Sequence, residues 1–155
     1  MSDVIVDHFV IRRANEYELV EVAKLFRLSR TVCLPFLPTL HTPQEDLAFF
    51  THHVFAKQQL YVALDGADIV GLMVMEGDWL DQLYLHPDHI GKGIGSKLLA
   101  DAKAQSDGYL KLYCFVENER GRRFYEARGF IEVSRSDGSI NEEKMPDILY
   151  EWRAS

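Results

Sequence analysis

Three alternating glycines, Gly91-Lys92-Gly93-Ile94-Gly95, follow a β-rich run ending at Pro87 and open a stretch with helical spacing. Without side chains in the way, the backbone N–H groups of such a turn converge, and the helix behind it adds the positive end of its dipole. The chemistry on offer is anion binding. Each hydrogen bond to a charged oxygen contributes about 1.5–3 kcal/mol, so several on a pyrophosphate account for much of a micromolar affinity. The run is not a P-loop, because no glycine directly precedes Lys97. Nor is it the dinucleotide fingerprint, whose third glycine is Ser96 here. Taken alone, the turn fits equally well a tight bend with close helix–strand packing.

Proton-moving groups are scattered. Strand alternation puts Asp81 on one face with Leu83 and Leu85. Glu76 and Glu117 stand at strand ends, and His41 and His86 add imidazoles, a residue type suited to proton transfer. His41, Glu45 and Asp46 gather where a loop meets a helix start, although first-turn acids also complement a helix dipole. Asn141-Glu142-Glu143 occupies the last long loop, and Arg120, Arg122, Arg123 and Arg128 make one helix basic. Such an arginine run serves an anion or a solvated face.

The elements that must carry these groups follow from spacing. His8–Arg13 reads as a strand. Asn15-Glu16-Tyr17-Glu18 is a capping box, and Leu19, Val22, Ala23 and Phe26 predict a helix to about Leu28. Pro35 and Pro38 make a loop; Thr42-Pro43-Gln44-Glu45 caps a second helix, with Leu47, Phe50 and Val54 as its stripe. Leu60–Leu64 and Ile69–Glu76 flank a hairpin signal at Asp65-Gly66-Ala67-Asp68, and Leu80–Leu85 is the next strand. Ile94, Leu98 and Ala102 mark the inner face of the helix after the glycine turn. Tyr109–Val116 is a strand, and Asn118–Ala127 a helix that Gly129 ends in a left-handed cap. Phe130–Ser134 and Ile148–Trp152 close the chain as a strand pair. With no repeat or linker, residues 1–155 read as one α/β domain.

Bulk properties narrow the partners. A chain of 155 residues, 47% apolar and 26% charged, has an ordinary globular balance. Its net charge of −7 argues against nucleic acid, which needs a basic face. Met1–Asp7 lacks the layout of a signal peptide, and no apolar stretch is long enough to span a membrane. Cys33 and Cys114 lack partners at metal-ligand spacing, which suits a reducing compartment and no metal. A cytoplasmic protein is the expectation, and the composition admits a homodimer.

Two blocks give the glycine turn a more specific meaning. Leu80-Asp81-Gln82-Leu83-Tyr84-Leu85-His86-Pro87 followed by Gly91-Lys92-Gly93-Ile94-Gly95-Ser96-Lys97-Leu98-Leu99 closely resembles the acetyl-CoA-binding segment of the GNAT superfamily of N-acyltransferases. Asn118, Phe124-Tyr125-Glu126 and Gly129-Phe130 resemble its second signature, and the likeness is weakest over Thr31–Phe55. The resemblance implies a central mixed, mostly antiparallel sheet, splayed in the middle, with helices on both faces. Acetyl-CoA would lie in the splay, its pantetheine beside Leu83, Tyr84 and Leu85 like an added strand, its pyrophosphate on the amides of Gly91, Lys92, Gly93, Ile94, Gly95 and Ser96. Ile90 departs from the family pattern, which carries Gln or Arg there.

The same resemblance implies N-acetyl transfer within a ternary complex to the amine of a small molecule or peptide. It makes Tyr125 the general acid toward the leaving thiolate and sets Asn118 against the pantetheine or adenosine side, while Asn118 also fits a helix N-cap. A tyrosine is a weaker acid than a thiol by about 2 kcal/mol, so hydrogen-bond donation describes Tyr125 better than full transfer. An amine with pKa near 10.4 is neutral in roughly one part in a few thousand at pH 7, so a base or a water chain is needed. Asp81 is the first candidate. The loop Phe36–Asp46, with His41 and Asp46, would line the acceptor site. The rival reading is a CoA-binding regulatory or sensor module without efficient turnover.

Overall fold

The computed structural model describes residues 8–155; the reading of Met1–Asp7 lies outside them. Strand β1, Val10–Arg13, is shorter than the expected His8–Arg13, since His8 lies in a turn. At the capping box the Glu18 carboxylate accepts from the Asn15 N–H at 2.8 Å and pairs with Arg12 at 2.7 Å. Helix α1, Leu19–Cys33, runs five residues past the expected end at Leu28. Its apolar stripe of Leu19, Val22, Ala23 and Leu25 stops earlier, and the polar last turns continue for other reasons described below.

Thr42 caps α2, Pro43–Phe49: Glu45 N–H donates to its hydroxyl at 3.2 Å, and its own N–H donates to the Glu45 carboxylate at 2.8 Å. The helix passes into a π turn, Phe50–Val54, and a last α turn, Phe55–Lys57. A π turn is rare and shifts the face a helix presents; here it leaves both Phe50 and Val54 fully buried.

Strands β2 (Gln59–Asp65), β3 (Asp68–Glu76) and β4 (Trp79–Leu85) form an antiparallel meander on β1. Helix α3, Ile94–Gln105, crosses to β5, Tyr109–Phe115, and α4, Glu119–Glu126, follows. Strands β6 (Ile131–Ser136) and β7 (Asp147–Arg153) finish the sheet, with β7 inserted between β5 and β6. The seven strands run in the order β1-β2-β3-β4-β5-β7-β6. Only β4 and β5 are parallel, and one pair, Trp79 with Lys111, holds them in register. The expected mixed, splayed sheet is present.

Alternation along β2 and β3 divides the core. Leu60, Val62, Leu72 and Val74 face α1 and the π turn, whereas Ala63, Met73 and Met75 face α3 with its Ile94, Leu98, Leu99 and Ala102. Each such buried side chain contributes about 1.5–3 kcal/mol, so these clusters, not polar contacts, fix where β4 and α3 stand. Gly129 adopts φ +93, and Phe130 N–H bonds the Tyr125 carbonyl at 3.1 Å, the left-handed end expected for α4.

Candidate active site

Beyond Trp79 the edge of β4 that faces β5 is unpaired. Leu83, Tyr84 and Leu85 line a cleft of about 530 Å³ there, with the glycine turn at its margin. Gly91 and Gly93 take φ +85 and +88, a left-handed conformation that side chains disfavour, and Gly93 is the N-cap of α3. The first-turn N–H groups of this twelve-residue helix lack intrahelical acceptors. Gly91, Gly93, Gly95 and Ser96 reach the cleft. The Lys92 side chain is exposed and Ile94 is buried in the core, so neither side chain lines the cleft.

Positive charge comes from farther along the chain. Arg128 stacks over the Phe124 ring at 4.1 Å and donates to the Ser96 hydroxyl at 2.6 Å. Arg120 lines the same cleft. The other two arginines of the run do different work: Arg122 donates to the Val116 carbonyl, and Arg123 lies 3.6 Å from Glu119 on the surface. The charge missing at Ile90 is thus supplied from α4 and its end. A phosphate-bearing ligand fits this donor set. Asn118 takes the expected N-cap place, accepting from Gly121 N–H at 3.0 Å, and also lines the cleft. A Cβ on Gly121 would stand 2.4 Å from the Asn118 amide, so a larger residue there would displace the capping side chain.

Tyr125 lines the cleft too, its ring edge-on to Phe124 and Phe130. Its hydroxyl makes no hydrogen bond to another described residue. Burial pushes its pKa up, with Cys114 and Tyr84 adding to the effect, so the phenol stays protonated and is suited to donate. The neighbouring Cys114 thiol is pushed up to about 12 by burial, which keeps it unreactive.

A second cavity of about 330 Å³ lies across α1 and β4. His41 and Asp46 both line it, together with Glu45, Glu142 and Glu143. Its charges are paired across the fold. Arg27 holds Asp46 at 2.7 Å and donates to the His41 carbonyl at 2.5 Å. Arg30 donates to the Tyr84 hydroxyl at 2.9 Å and pairs with Glu143 at 3.1 Å. His41 meets Glu142 at 2.8 Å, and its hydrogen bond to that carboxylate holds the imidazole pKa above its ordinary value. Four carboxylates against two arginines and a histidine leave the cavity acidic.

Asp81 does not face either cavity. Leu80 pairs with Met75 and Gln82 with Val74, so Asp81 is the extra residue of a β-bulge and alternation breaks there. It is exposed and accepts from Gln58 Nε2 at 3.1 Å, beside Glu76 at 2.8 Å from the same nitrogen. Gln82 takes the cavity-facing place instead. Arg27, Arg30, Gln82 and Ser29 carry no local pattern that would have singled them out.

The two cavities adjoin. On α1, Arg30 faces one and Ser29 the other; on β4, Gln82 faces one and Leu83 the other. Two ligands can therefore meet across a shared wall. Among the described residues no group of three or more His, Cys, Asp or Glu side chains could hold a metal, and no helix is long and apolar enough to cross a membrane.

Residues 56–132 match the model of the acetyltransferase (GNAT) domain. The chain is 30% identical over 129 residues to the peptidyl-lysine N-acetyltransferase YjaB of Escherichia coli, covering 82% of this chain and 85% of that one. The solution structure of apo YjaB from E. coli superposes with a TM-score of 0.77 at 24% identity, over 95% of this chain and 99% of that one. The structure of yncA from Salmonella typhimurium with its cofactor acetyl-CoA gives 0.71 at 15% identity, over 96% and 95%.

Proposed function

The chain belongs to the GNAT family of acetyltransferases, and we propose that the glycine-turn cleft takes acetyl-CoA while the acidic cavity takes a lysyl amine. The enzyme is an N-acetyltransferase with acetyl-CoA as donor. Supporting this division of labour is the shared wall of Ser29–Arg30 and Gln82–Leu83, across which amine and thioester can meet directly.

In this reading the amide groups of the glycine turn, with Arg120 and Arg128, bind the donor's phosphates. The free edge at Leu83–Leu85 aligns its pantetheine, and Asn118 closes that side. The ammonium first gives a proton to water; the neutral nitrogen then bonds to the acetyl carbon, loses its second proton to water, the carbon–sulfur bond breaks, and the thiolate leaves. Tyr125 donates a hydrogen bond to that sulfur. The amine's protons depart through water rather than to a dedicated base, because every carboxylate of the acceptor cavity is engaged. Arg27 holds Asp46, Arg30 holds Glu143, His41 holds Glu142, and the Thr42 N–H holds Glu45. The acidic lining favours a cationic amine, and the relatives named as peptidyl-lysine N-acetyltransferases favour one on a peptide.

Release of CoA thiol, measured with lysine peptides, spermidine, an aminoglycoside and free amino acids, tests the acceptor. Peptides should give the highest kcat/KM. Transfer to polyamines with none to peptides would overturn the lysyl assignment and leave the donor cleft untouched.

A further inference from the structure

We infer that the Ser29 hydroxyl donates a hydrogen bond to the acyl carbonyl oxygen during transfer, making Ser29 a catalytic residue. The inference rests on the donor-cleft reading above. Ser29 is 3% exposed on α1 and lines the cleft. A serine inside a helix ordinarily turns its hydroxyl back to the carbonyl four residues earlier, as Thr51 does here to Leu47 at 2.8 Å. Ser29 does not, and its hydroxyl has no partner among the described residues. Among the described residues only Gln58, His89 and Arg122 carry fully enclosed side-chain polar atoms without a partner, so the Ser29 hydroxyl opens on the cleft, where water or an entering ligand completes it.

Its position says which atom that is. Arg27, Arg30 and Thr31 face the acceptor cavity, while Cys33, at the end of α1, and Leu34 just past it face the donor cleft. Ser29 is therefore the donor-cleft residue of α1 that lies in sequence between two acceptor-cavity residues, Arg27 and Arg30. Across from it, β4 changes sides between Gln82 and Leu83. The carbon that passes from sulfur to nitrogen must sit at this junction. As the C–N bond forms, the carbonyl oxygen gains negative charge, and a fixed O–H bonds it more strongly than in the ground state. The proton of Ser29 stays on its own oxygen throughout. The hydroxyl adds one donor where the unpaired β4 edge can supply others, so its loss should cost about tenfold in kcat, well below a sole oxyanion donor.

The test compares wild type with Ser29→Ala and Ser29→Cys, the latter filling the space with a weak donor. Both variants should lower kcat about tenfold with acetyl-CoA. Calorimetry without acceptor gives a second readout. Free CoA and the thioether S-ethyl-CoA, which lacks the carbonyl oxygen, should bind all three proteins within twofold. S-acetonyl-CoA, an inert ketone, should bind both variants several-fold more weakly. Recovery of kcat by Ser29→Cys would reassign Ser29 to packing and overturn the inference. So would an equal loss of affinity for S-ethyl-CoA, which would put the hydroxyl on the pantetheine. Failure of wild type to bind CoA at all would instead sink the donor-cleft reading, and this inference with it.

Discussion

The donor cleft and the acceptor cavity share α1 and β4 yet are made of different material. The first is mostly main chain: left-handed glycines, the open N-terminus of α3 and an unpaired strand edge. The second is side chain, with Arg27 reaching Asp46 and Arg30 reaching Glu143 across 19 and 113 residues of sequence. A main-chain site is altered chiefly by substitutions that change backbone conformation or fill space. A side-chain site can be retuned one charge at a time.

The largest expected effect falls where the cleft does depend on a side chain. Tyr125→Phe removes one hydroxyl and keeps the ring, and kcat should drop roughly 10²-fold, the range of a general acid's contribution. Donors with better thiol leaving groups should recover part of the loss. Near-normal kcat, with chemistry rate-limiting, would make Tyr125 a packing residue and water the proton source.

Gly93→Val comes next. It places a branched side chain at φ +88, where the N-cap must be left-handed and the ligand must approach closely. Affinity for acetyl-CoA should fall at least tenfold by calorimetry. A folded variant with unchanged affinity would move the phosphate site elsewhere and erase the contrast between the two regions.

The acceptor cavity should respond more gently and in the other parameter. His41→Ala removes a link between the loop before α2 and the β6–β7 loop, raising the amine KM a few-fold with the acetyl-CoA KM nearly constant. Because Glu142 raises the His41 pKa, that link is fully present below about pH 6.5 and is lost as pH rises through the raised value. The KM ratio of variant to wild type should therefore shrink toward one with rising pH. A pH-independent ratio would mean that the imidazole's charge plays no part.

This difference in material also decides what could be read from sequence. The glycine turn was legible because its constraint is local: positive φ and a following helix leave a pattern of residue types. Gly129 and the Thr42 capping box were legible for the same reason. Asp81 was misplaced because alternation counts residues evenly and a bulge does not. Helix α1 was ended too early because its apolar stripe stops while Ser29, Arg30 and Cys33 continue it, facing cavities rather than core. The ion pairs of the acceptor cavity join segments that only the folded sheet brings together, so no spacing rule could announce them.

The single registered pair between β4 and β5 has a mechanical meaning. Two stiff plates, β1–β4 and β5–β7, are pinned at Trp79 and Lys111 and diverge from there like an open wedge. A ligand laid along the free edge of Leu83–Leu85 bridges the gap that the strands themselves leave. On the proposed assignment, donor binding is also a structural act: it braces one plate against the other, and mass action stabilises the braced form by an amount that grows with the logarithm of donor concentration above Kd. The cavity proposed for the acceptor, walled by α1, β4 and the β6–β7 loop, spans both plates, so a bound donor would hold it to shape.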